Sequence, residues 1–218
     1  MINLNYVPKM RLNFFAISLS LMFLIFSLPV CSANSAVEQI DLNHATVVSP
    51  FVGDDSPEEA ALQLLVEEAS KRTGFAWPVS RSWPENDVPV IVLTSKAPKT
   101  DWPVTFPERW VKKIGAEGYQ LLVQNSRGHA PVVWAVGADA RGVLFAAGGL
   151  LRALSMRRGE VCIANDVNIA TTPAYPLRGH QLGYRAKANS YDAWTPTDYE
   201  QYIRDLMVFG TNAIEQIP

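Results

Sequence analysis

The chain has 218 residues, of which 48% are hydrophobic and 18% are charged, and its formal net charge is −2. The apolar content is too high for a disordered chain, and a near-neutral charge without a basic stripe gives no reason to expect nucleic acid as a partner. Two cysteines are too few for a disulfide framework or a four-thiolate zinc site. The composition therefore indicates one or two globular domains.

Residues 1–33 predict a secretory signal peptide that is not part of the fold. Lys9 and Arg11 precede an apolar run over 14–30, and small residues follow the run. A membrane anchor is the alternative, since about twenty apolar residues span a bilayer. Because the run is slightly short, we expect cleavage, no stable membrane span afterwards, and a periplasmic or extracellular protein. Lipoprotein attachment through Cys31 is less favoured, because the residues before it lack the small side chain of such signals.

Residues 37–172 predict an α+β domain, and its first elements are a short strand and a helix. The apolar, β-branched stretch 45–48 is typical of a strand. The helix that follows has Ser56 as its N-cap and Pro57 at its first position, and Gly74 ends it as a left-handed cap.

A buried strand and a hairpin continue this domain. Residues 88–94 have the composition of a buried strand, and Pro89 predicts that its first residues lie at a sheet edge. Alternating apolar residues over 119–123 and 132–136, separated by a turn at 125–128, predict the hairpin.

A helix rich in glycine follows the hairpin. It begins near Asp139 and includes Gly142, Gly148 and Gly149, each of which lowers helix propensity by about 1 kcal/mol relative to alanine. We expect such a helix only where it packs very closely against a sheet. Together, these elements predict an antiparallel or mixed sheet with helices on one face.

Residues 176–218 predict the first β-α-β unit of an incomplete TIM-type β/α barrel. Two apolar strands over 177–184 and 212–217 flank a helix, in which Thr195 and Asp198 form a capping box. A complete barrel needs about 250 residues. We therefore expect the chain to be a truncated part of a larger protein.

Three motifs resemble the front end of exported bacterial glycoside hydrolases. They are Gly118-Tyr119-Gln120-Leu121, the stretch from Gly137 to Phe145, and Tyr175-Pro176-Leu177-Arg178-Gly179. The chain is similar, over roughly residues 40–218, to the β-N-acetylhexosaminidases of family 20 and the α-glucuronidases of family 67. In both families a small α+β domain precedes a catalytic β/α barrel. The resemblance implies hydrolysis of O-glycosidic bonds in polysaccharide or glycan breakdown, a carbohydrate as partner, and no cofactor.

The resemblance places the catalytic carboxylates outside this sequence. In hexosaminidases an adjacent Asp-Glu pair after the fourth barrel strand performs the acid chemistry, and that region would follow Pro218. The acidic pairs 54–55, 58–59 and 67–68 are typical of a helix N-terminus and a solvated helix face. We therefore assign no catalytic residue, and we expect this fragment to be inactive by itself.

Three residues are candidates for sugar binding. Arg178 matches a hexosaminidase arginine that hydrogen-bonds the sugar, although a structural ion pair between the two domains is an equal alternative. Trp194 could stack on a sugar ring or form a hydrophobic staple with Tyr199. Glu215 points either into the barrel or out towards its helices, and strand alternation alone does not choose.

Other side chains carry less functional signal. His44 and His129 lack metal-ligand spacing, so we expect no metal site. Tryptophans within proline-rich loops could bind carbohydrate, but packing over a small core is the favoured interpretation. These are Trp77, Trp83, Trp102 and Trp110. A non-catalytic carbohydrate-binding or scaffolding protein of the same architecture is the alternative to a glycosidase.

Overall fold

A computed structural model describes most of the chain after the predicted signal peptide. The described residues are 37–95, 102–104, 106, 114–126, 128–183 and 193–217. The predicted signal peptide, Cys31 and Trp110 lie outside them. No helix among the described residues is both long enough and apolar enough to cross a membrane.

The described residues form eleven strands and three helices. The strands are β1 (Gln39–Asp41), β2 (Thr46–Val48), β3 (Val79–Ser80), β4 (Val90–Ser95), β5 (Tyr119–Ser126), β6 (His129–Gly137), β7 (Ser155–Arg157), β8 (Glu160–Ala164), β9 (Asn168–Thr171), β10 (Gly179–Gly183) and β11 (Ala213–Ile217). The helices are α1 (Pro57–Thr73), α2 (Ala140–Ala153) and α3 (Pro196–Val208).

The central sheet is mixed and has the strand order β3-β2-β4-β6-β5-β9. β3, β2, β4 and β6 run parallel to one another, whereas β5 pairs antiparallel with both β6 and β9. The hairpin β5–β6 lies where the sequence predicted it, and Gly128 occupies its turn with φ +80°. The prediction of a mixed sheet is confirmed.

The expectation that β4 begins at a sheet edge is wrong. The first residues of β4, Val90 to Val92, pair with β2 on one side and with β6 on the other, and the rest of the strand continues beside β6. Pro89 directly precedes the strand, and its carbonyl oxygen accepts a hydrogen bond of 3.0 Å from the Thr46 amide. A proline lacks only the donor, so at this position it still joins the ladder through its acceptor.

Helices α1 and α2 pack side by side on one face of this sheet. Aliphatic side chains from the sheet and both helices form the main core there, namely Val47, Ile91, Leu93, Leu121, Val133, Leu65, Val143 and Leu150. We call the two helices together with the six-stranded sheet the α/β layer. The start of α1 agrees with the predicted cap, because Ser56 Oγ accepts from the Glu59 amide at 3.1 Å and Gly74 ends the helix with φ +84°.

The opposite face of the sheet is covered by aromatic residues. The ring of Trp134 packs against Phe106 and Trp102, whose centroids lie 5.4 and 6.5 Å away, and Trp83 packs on Trp102 at 6.0 Å. Trp77 lies in the main core, where its Nε1 donates to the Leu42 carbonyl at 2.8 Å. Trp77 and Trp134 are therefore buried, and Trp83 and Trp102 are partly buried where they pack against the sheet.

Glycines allow α2 to approach its neighbours at backbone distance. A Cβ atom at Gly142 would lie 2.5 Å from the Gly118 carbonyl oxygen, and one at Gly149 would lie 2.6 Å from the Tyr119 ring. A Cβ at Gly148 would lie 2.8 Å from the Val208 Cα at the end of α3. Close packing against the sheet was predicted for all three glycines, but Gly148 serves the contact with α3 instead.

A second, antiparallel sheet of order β1-β8-β7 was not predicted from the sequence. Its strands are three to five residues long. Val161 and Ile163 of β8 join the main core, and the Leu42 amide donates to the Val161 carbonyl at 2.9 Å.

The last described elements form the predicted β-α-β unit. β10 and β11 pair in parallel, with Gly179 opposite Ala213 and Gly183 opposite Ile217, and α3 connects them. Thr195 and Asp198 form the capping box at the start of α3. The TIM-type barrel, and the division into domains at residues 37–172 and 176–218, stay predictions.

Candidate functional site

Two of the motifs behind the resemblance, together with the residue directly before the third, meet at one polar cluster. We call it the junction cluster, and its members are Glu117, Arg141, Arg178 and Asn212. The Glu117 carboxylate accepts from Arg141 Nη1 at 2.8 Å, from Arg178 Nη2 at 2.8 Å and from Asn212 Nδ2 at 3.0 Å. The cluster therefore joins the start of α2, the turn before β5 and the starts of β10 and β11.

The backbone on the layer side of this cluster is held by Asp139. One carboxylate oxygen of Asp139 caps α2 by accepting from the Gly142 amide at 2.8 Å, and the other accepts from the Glu117 amide at 2.9 Å. Glu117 has φ +58°, a left-handed conformation that is uncommon for residues other than glycine. Its side chain is thus directed by a constrained turn as well as by its hydrogen bonds.

The structure shows the ion-pair alternative for Arg178. In addition to Glu117, the guanidinium donates from Nε to the Gly210 carbonyl at 2.7 Å and from Nη1 to the Tyr175 carbonyl at 2.8 Å. It also lies 5.0 Å from the centroid of the Phe145 ring. Arg178 directly precedes β10, at the amino end of the strand, whereas barrel active sites gather at the carboxyl ends. Sugar binding by Arg178 stays a prediction.

The charge of Glu117 is stabilised by its partners. The hydrogen bond from Arg141 lowers the pKa of Glu117, burial raises it, and the hydrogen bonds from Arg178 and Asn212 lower it further, so that the net pKa lies below its usual value. A general acid for glycoside hydrolysis needs a raised pKa. Glu117 is therefore suited to a structural role and not to proton donation.

Glu215 lies on the face of β10–β11 that points away from α3. It pairs with Gln181 in the parallel register, so the two exposed side chains share one face. The other face carries His180, whose Nε2 lies 2.9 Å from the Tyr202 hydroxyl of α3. Because helices cover the outside of a β/α barrel, Glu215 is on the face that would line a barrel interior.

Trp194 forms the predicted staple at the start of α3. Its ring centroid lies 5.3 Å from that of Tyr199 and 5.0 Å from that of Tyr202, both in edge-to-face geometry. It also borders an open groove of about 610 Å³. The other residues along this groove are Pro196, Tyr199, Glu200, Ile203, Arg204 and Met207. Stacking on a sugar stays a prediction.

The structure does not bring the three predicted sugar ligands into one site. Arg178 is bound at the amino end of β10, Trp194 packs on the α3 side of the unit, and Glu215 faces the other side. Glu117 was not singled out from the sequence, where its only signal is its place directly before the Gly118 motif.

The acidic pairs of α1 have structural partners, and one expectation about them is wrong. Glu59 accepts from the Gly53 and Asp55 amides at 2.7 and 2.8 Å, as suits a helix start. Glu68, predicted to lie on a solvated face, is only 1% exposed because α3 packs over it. Burial raises the pKa of Glu68, but hydrogen bonds from Lys71 and Arg72 outweigh this effect and lower it overall.

A second polar cluster, which we call the α1–α3 cluster, surrounds Glu68. Gln201 Nε2 lies 3.4 Å from Glu68 Oε1, and Lys71 Nζ donates to Gln201 Oε1 at 3.0 Å. Arg204 Nη1 donates to Glu67 at 2.6 Å. In the described parts of the chain, no three His, Cys, Asp or Glu side chains are grouped so as to hold a metal ion.

Sequence comparisons find no relative, because no family model and no curated protein matches this chain. Solved structures do match. A GH20 exo-β-N-acetylglucosaminidase from Vibrio harveyi, in complex with N-acetylglucosamine, aligns with a TM-score of 0.54 and 16% identity over 84% of this chain and 23% of its own. A GH20 β-N-acetylhexosaminidase from Streptomyces coelicolor A3(2) has a TM-score of 0.52 and 20% identity, over 83% of this chain and 31% of its own.

The α-glucuronidase part of the resemblance also has a structural counterpart, although of another family. A GH115 4-O-methyl-α-glucuronidase with specificity for decorated arabinogalactans aligns with a TM-score of 0.55 and 14% identity, over 82% of this chain and 25% of its own. The chain thus spans 23% to 31% of the length of these enzymes, and at such identities the likeness concerns the fold. The chain has a fold like that of a glycoside hydrolase N-terminal region.

Proposed function

We propose that this chain is the N-terminal part of an exported glycoside hydrolase, which acts on O-glycosidic bonds in polysaccharide or glycan breakdown. The observation that carries the proposal is the fold likeness over 84% of the chain. Residues 37–172 make up a smaller fraction of the chain than the aligned 84%, which supports a match that continues into β10–α3–β11.

In this proposal β10 and β11 are the first two strands of a catalytic β/α barrel. Their parallel pairing with α3 as the connection is the arrangement that such a barrel repeats. Glu215 lies on the face away from α3 and is our candidate for a sugar contact. Arg178 acts as a cross-link, since three protein acceptors already hold its guanidinium.

The catalytic carboxylates belong, in this proposal, to polypeptide that follows Pro218. Glu117 and Glu68 both have lowered pKa values and charged partners, so neither resembles a general acid. A glycosidase needs two carboxyl groups beside the scissile bond, or one with an acetamido group of the substrate as nucleophile.

Reading the coding sequence after the Pro218 codon and assaying the complete protein tests this function. We expect an open frame with carboxylates at the ends of later strands, and hydrolysis of an aryl β-N-acetylglucosaminide or of a glucuronic acid-bearing oligosaccharide. A complete protein that binds oligosaccharides but cleaves none would instead support the non-catalytic alternative. An immediate stop codon would contradict the proposal.

Export is tested separately from the activity. We expect the protein recovered from the periplasm or medium to begin shortly after the apolar run 14–30, as N-terminal sequencing would show. A cytoplasmic protein that retains Met1 would contradict export and leave the hydrolase proposal standing.

A further inference from the structure

The β10–α3–β11 unit has little core of its own. None of the residues of α3 is buried, and among the described residues of the unit Leu182 is the one hydrophobic side chain that is nearly inaccessible, at 2% exposed. A two-stranded sheet is marginally stable at best, and an isolated helix of this length is marginal as well. Within this chain the unit packs against the α/β layer, which contains the main core.

The described contacts between this unit and the α/β layer include two polar clusters, one backbone contact, and cation–π contacts of Arg152 with Phe209 and of Arg178 with Phe145. The junction cluster holds the start of both strands. The Arg178 amide donates to Asn212 Oδ1 at 2.8 Å, the Asn212 amide donates to the Arg178 carbonyl at 3.0 Å, and both side chains donate to Glu117. The α1–α3 cluster holds the helix through Gln201 and Arg204. Between them, the Val208 backbone lies against Gly148 of α2.

The charges across this contact are complementary. The layer contributes the carboxylates of Glu117, Glu67 and Glu68, and the unit contributes the Arg178 and Arg204 guanidinium groups. Glu117 and Arg178 keep only 13% and 22% of their side-chain exposure, so solvent screens this pair less than an open surface pair. Two of these carboxylates are also held within the layer, Glu117 by Arg141 and Glu68 by Lys71 and Arg72.

We propose that the α/β layer is a folding template for β10–α3–β11. The layer folds first, and its carboxylates at Glu117 and Glu68 then capture the unit and fix the pairing of β10 with β11. This role goes beyond the proposed glycosidase activity and concerns contacts between residues of this chain.

Hydrogen exchange of the full chain, followed by mass spectrometry, tests the template directly. In the parent protein we expect amides of β10, α3 and β11 to exchange faster than those of β4 and β6. Glu117→Gln should raise exchange in β10 and β11 by about tenfold and leave β4 and β6 unchanged, because it removes an anion that receives three charged or polar donors. The matched control is Asp54→Asn, which breaks an ion pair with Arg81 inside the layer and should leave β10 and β11 unchanged.

Three results would overturn the template. In the first, Glu117→Gln raises exchange equally in every element. In the second, Glu117→Gln leaves exchange in β10 and β11 unchanged. In the third, the Asp54→Asn control raises exchange in β10 and β11 as much as Glu117→Gln does. If Glu117→Gln does not fold, Arg204→Gln takes its place and should raise exchange in α3 alone. Pulse labelling during refolding gives the order: β4 and β6 should gain protection before β10 and β11, and simultaneous or reversed protection would refute the proposal. None of these readouts needs enzymatic activity, so the glycosidase proposal can fail independently.

Discussion

Glycine at two positions determines how closely α2 can approach the β5–β6 hairpin. A Cβ at Gly137 would lie 2.1 Å from the Val143 amide nitrogen, and one at Gly142 would meet the Gly118 carbonyl at 2.5 Å. No rotamer change relieves such contacts, because they are made with backbone atoms. Gly142 lowers the helix propensity of the segment, but the two glycines allow α2 to pack close to the hairpin, which places Arg141 beside Glu117.

Gly142→Ala should destabilise the protein although alanine is the better helix former. We expect the free energy of unfolding to fall by about 2 kcal/mol, since overpacking costs about 1–3 kcal/mol and outweighs the gain in propensity. Urea unfolding followed by tryptophan fluorescence measures the change. Gly179→Ala is the matched control: its Cβ would have neighbours no nearer than 3.8 Å, and we expect a change under about 1 kcal/mol. Equal losses in both variants would contradict the close-approach explanation.

At the scale of elements, α3 depends on the bonds at its first turn. Asp198 accepts from the Thr195 amide at 2.8 Å, and the Thr195 hydroxyl accepts from the Asp198 amide. The Thr195 hydroxyl also donates to the Asp198 carboxylate at 2.7 Å. Since no residue of α3 is buried, these local bonds contribute a larger share of its stability than they would in a core helix.

Thr195→Ala should loosen α3 without affecting α1. The loss of the cap should cost about 1 kcal/mol, which would appear as several-fold faster hydrogen exchange within α3. Thr197→Ala, at an exposed position in the same turn, is the control and should leave exchange in α3 unchanged or slightly slower. Identical exchange in both variants would show that the capping box does not limit the opening of α3.

For the whole molecule, two carboxylates with lowered pKa values make the contact between α/β layer and β-α-β unit sensitive to acid. Glu117 and Glu68 both titrate below the usual value of 4.5 in the folded protein. Their contribution to stability is complete above the pKa of the unfolded chain, and it is lost as pH falls through the lowered folded values.

We therefore expect the free energy of unfolding to be constant from neutral pH to about pH 5 and to decrease at pH values below about 4.5. Glu117→Gln should be less stable than the parent at pH 7, and this difference should shrink as the pH drops, because protonation of Glu117 in the parent removes the same charge. Urea titrations at a series of pH values measure both curves. Parallel curves for parent and variant at every pH would contradict a charged Glu117 in the folded state.

How much of the fold was predictable depends on the range of the signal. Helix starts and ends were predicted correctly at Ser56, Gly74 and Thr195, because a cap is decided by residues within one turn. The hairpin around Gly128 was predicted for the same reason. The sheet β1-β8-β7 was not predicted, since strands of three to five residues carry too little alternation to be recognised.

The candidate site was predictable only in part. The sequence indicated Arg178 and Trp194 as residues with either a structural or a sugar-binding role, and the structural partners of both are now visible. The residues near Glu68 did not indicate that its side chain is buried, because α3, which contacts it, begins more than a hundred residues later. Likewise, Glu117 and Arg178 are separated by 61 positions.

The sequence by itself determined the helices and their ends, the hairpin, the β-α-β pattern and the similarity to glycoside hydrolases, because each follows from neighbouring residues or from short motifs. Only the tertiary structure decided the strand order, the central place of β4, the position of Glu215 on the strand face away from α3, and the partners of Arg178 and Glu68. The physical reason is that burial and ion pairing depend on which distant segments meet. No local sequence pattern specifies which distant segments come into contact.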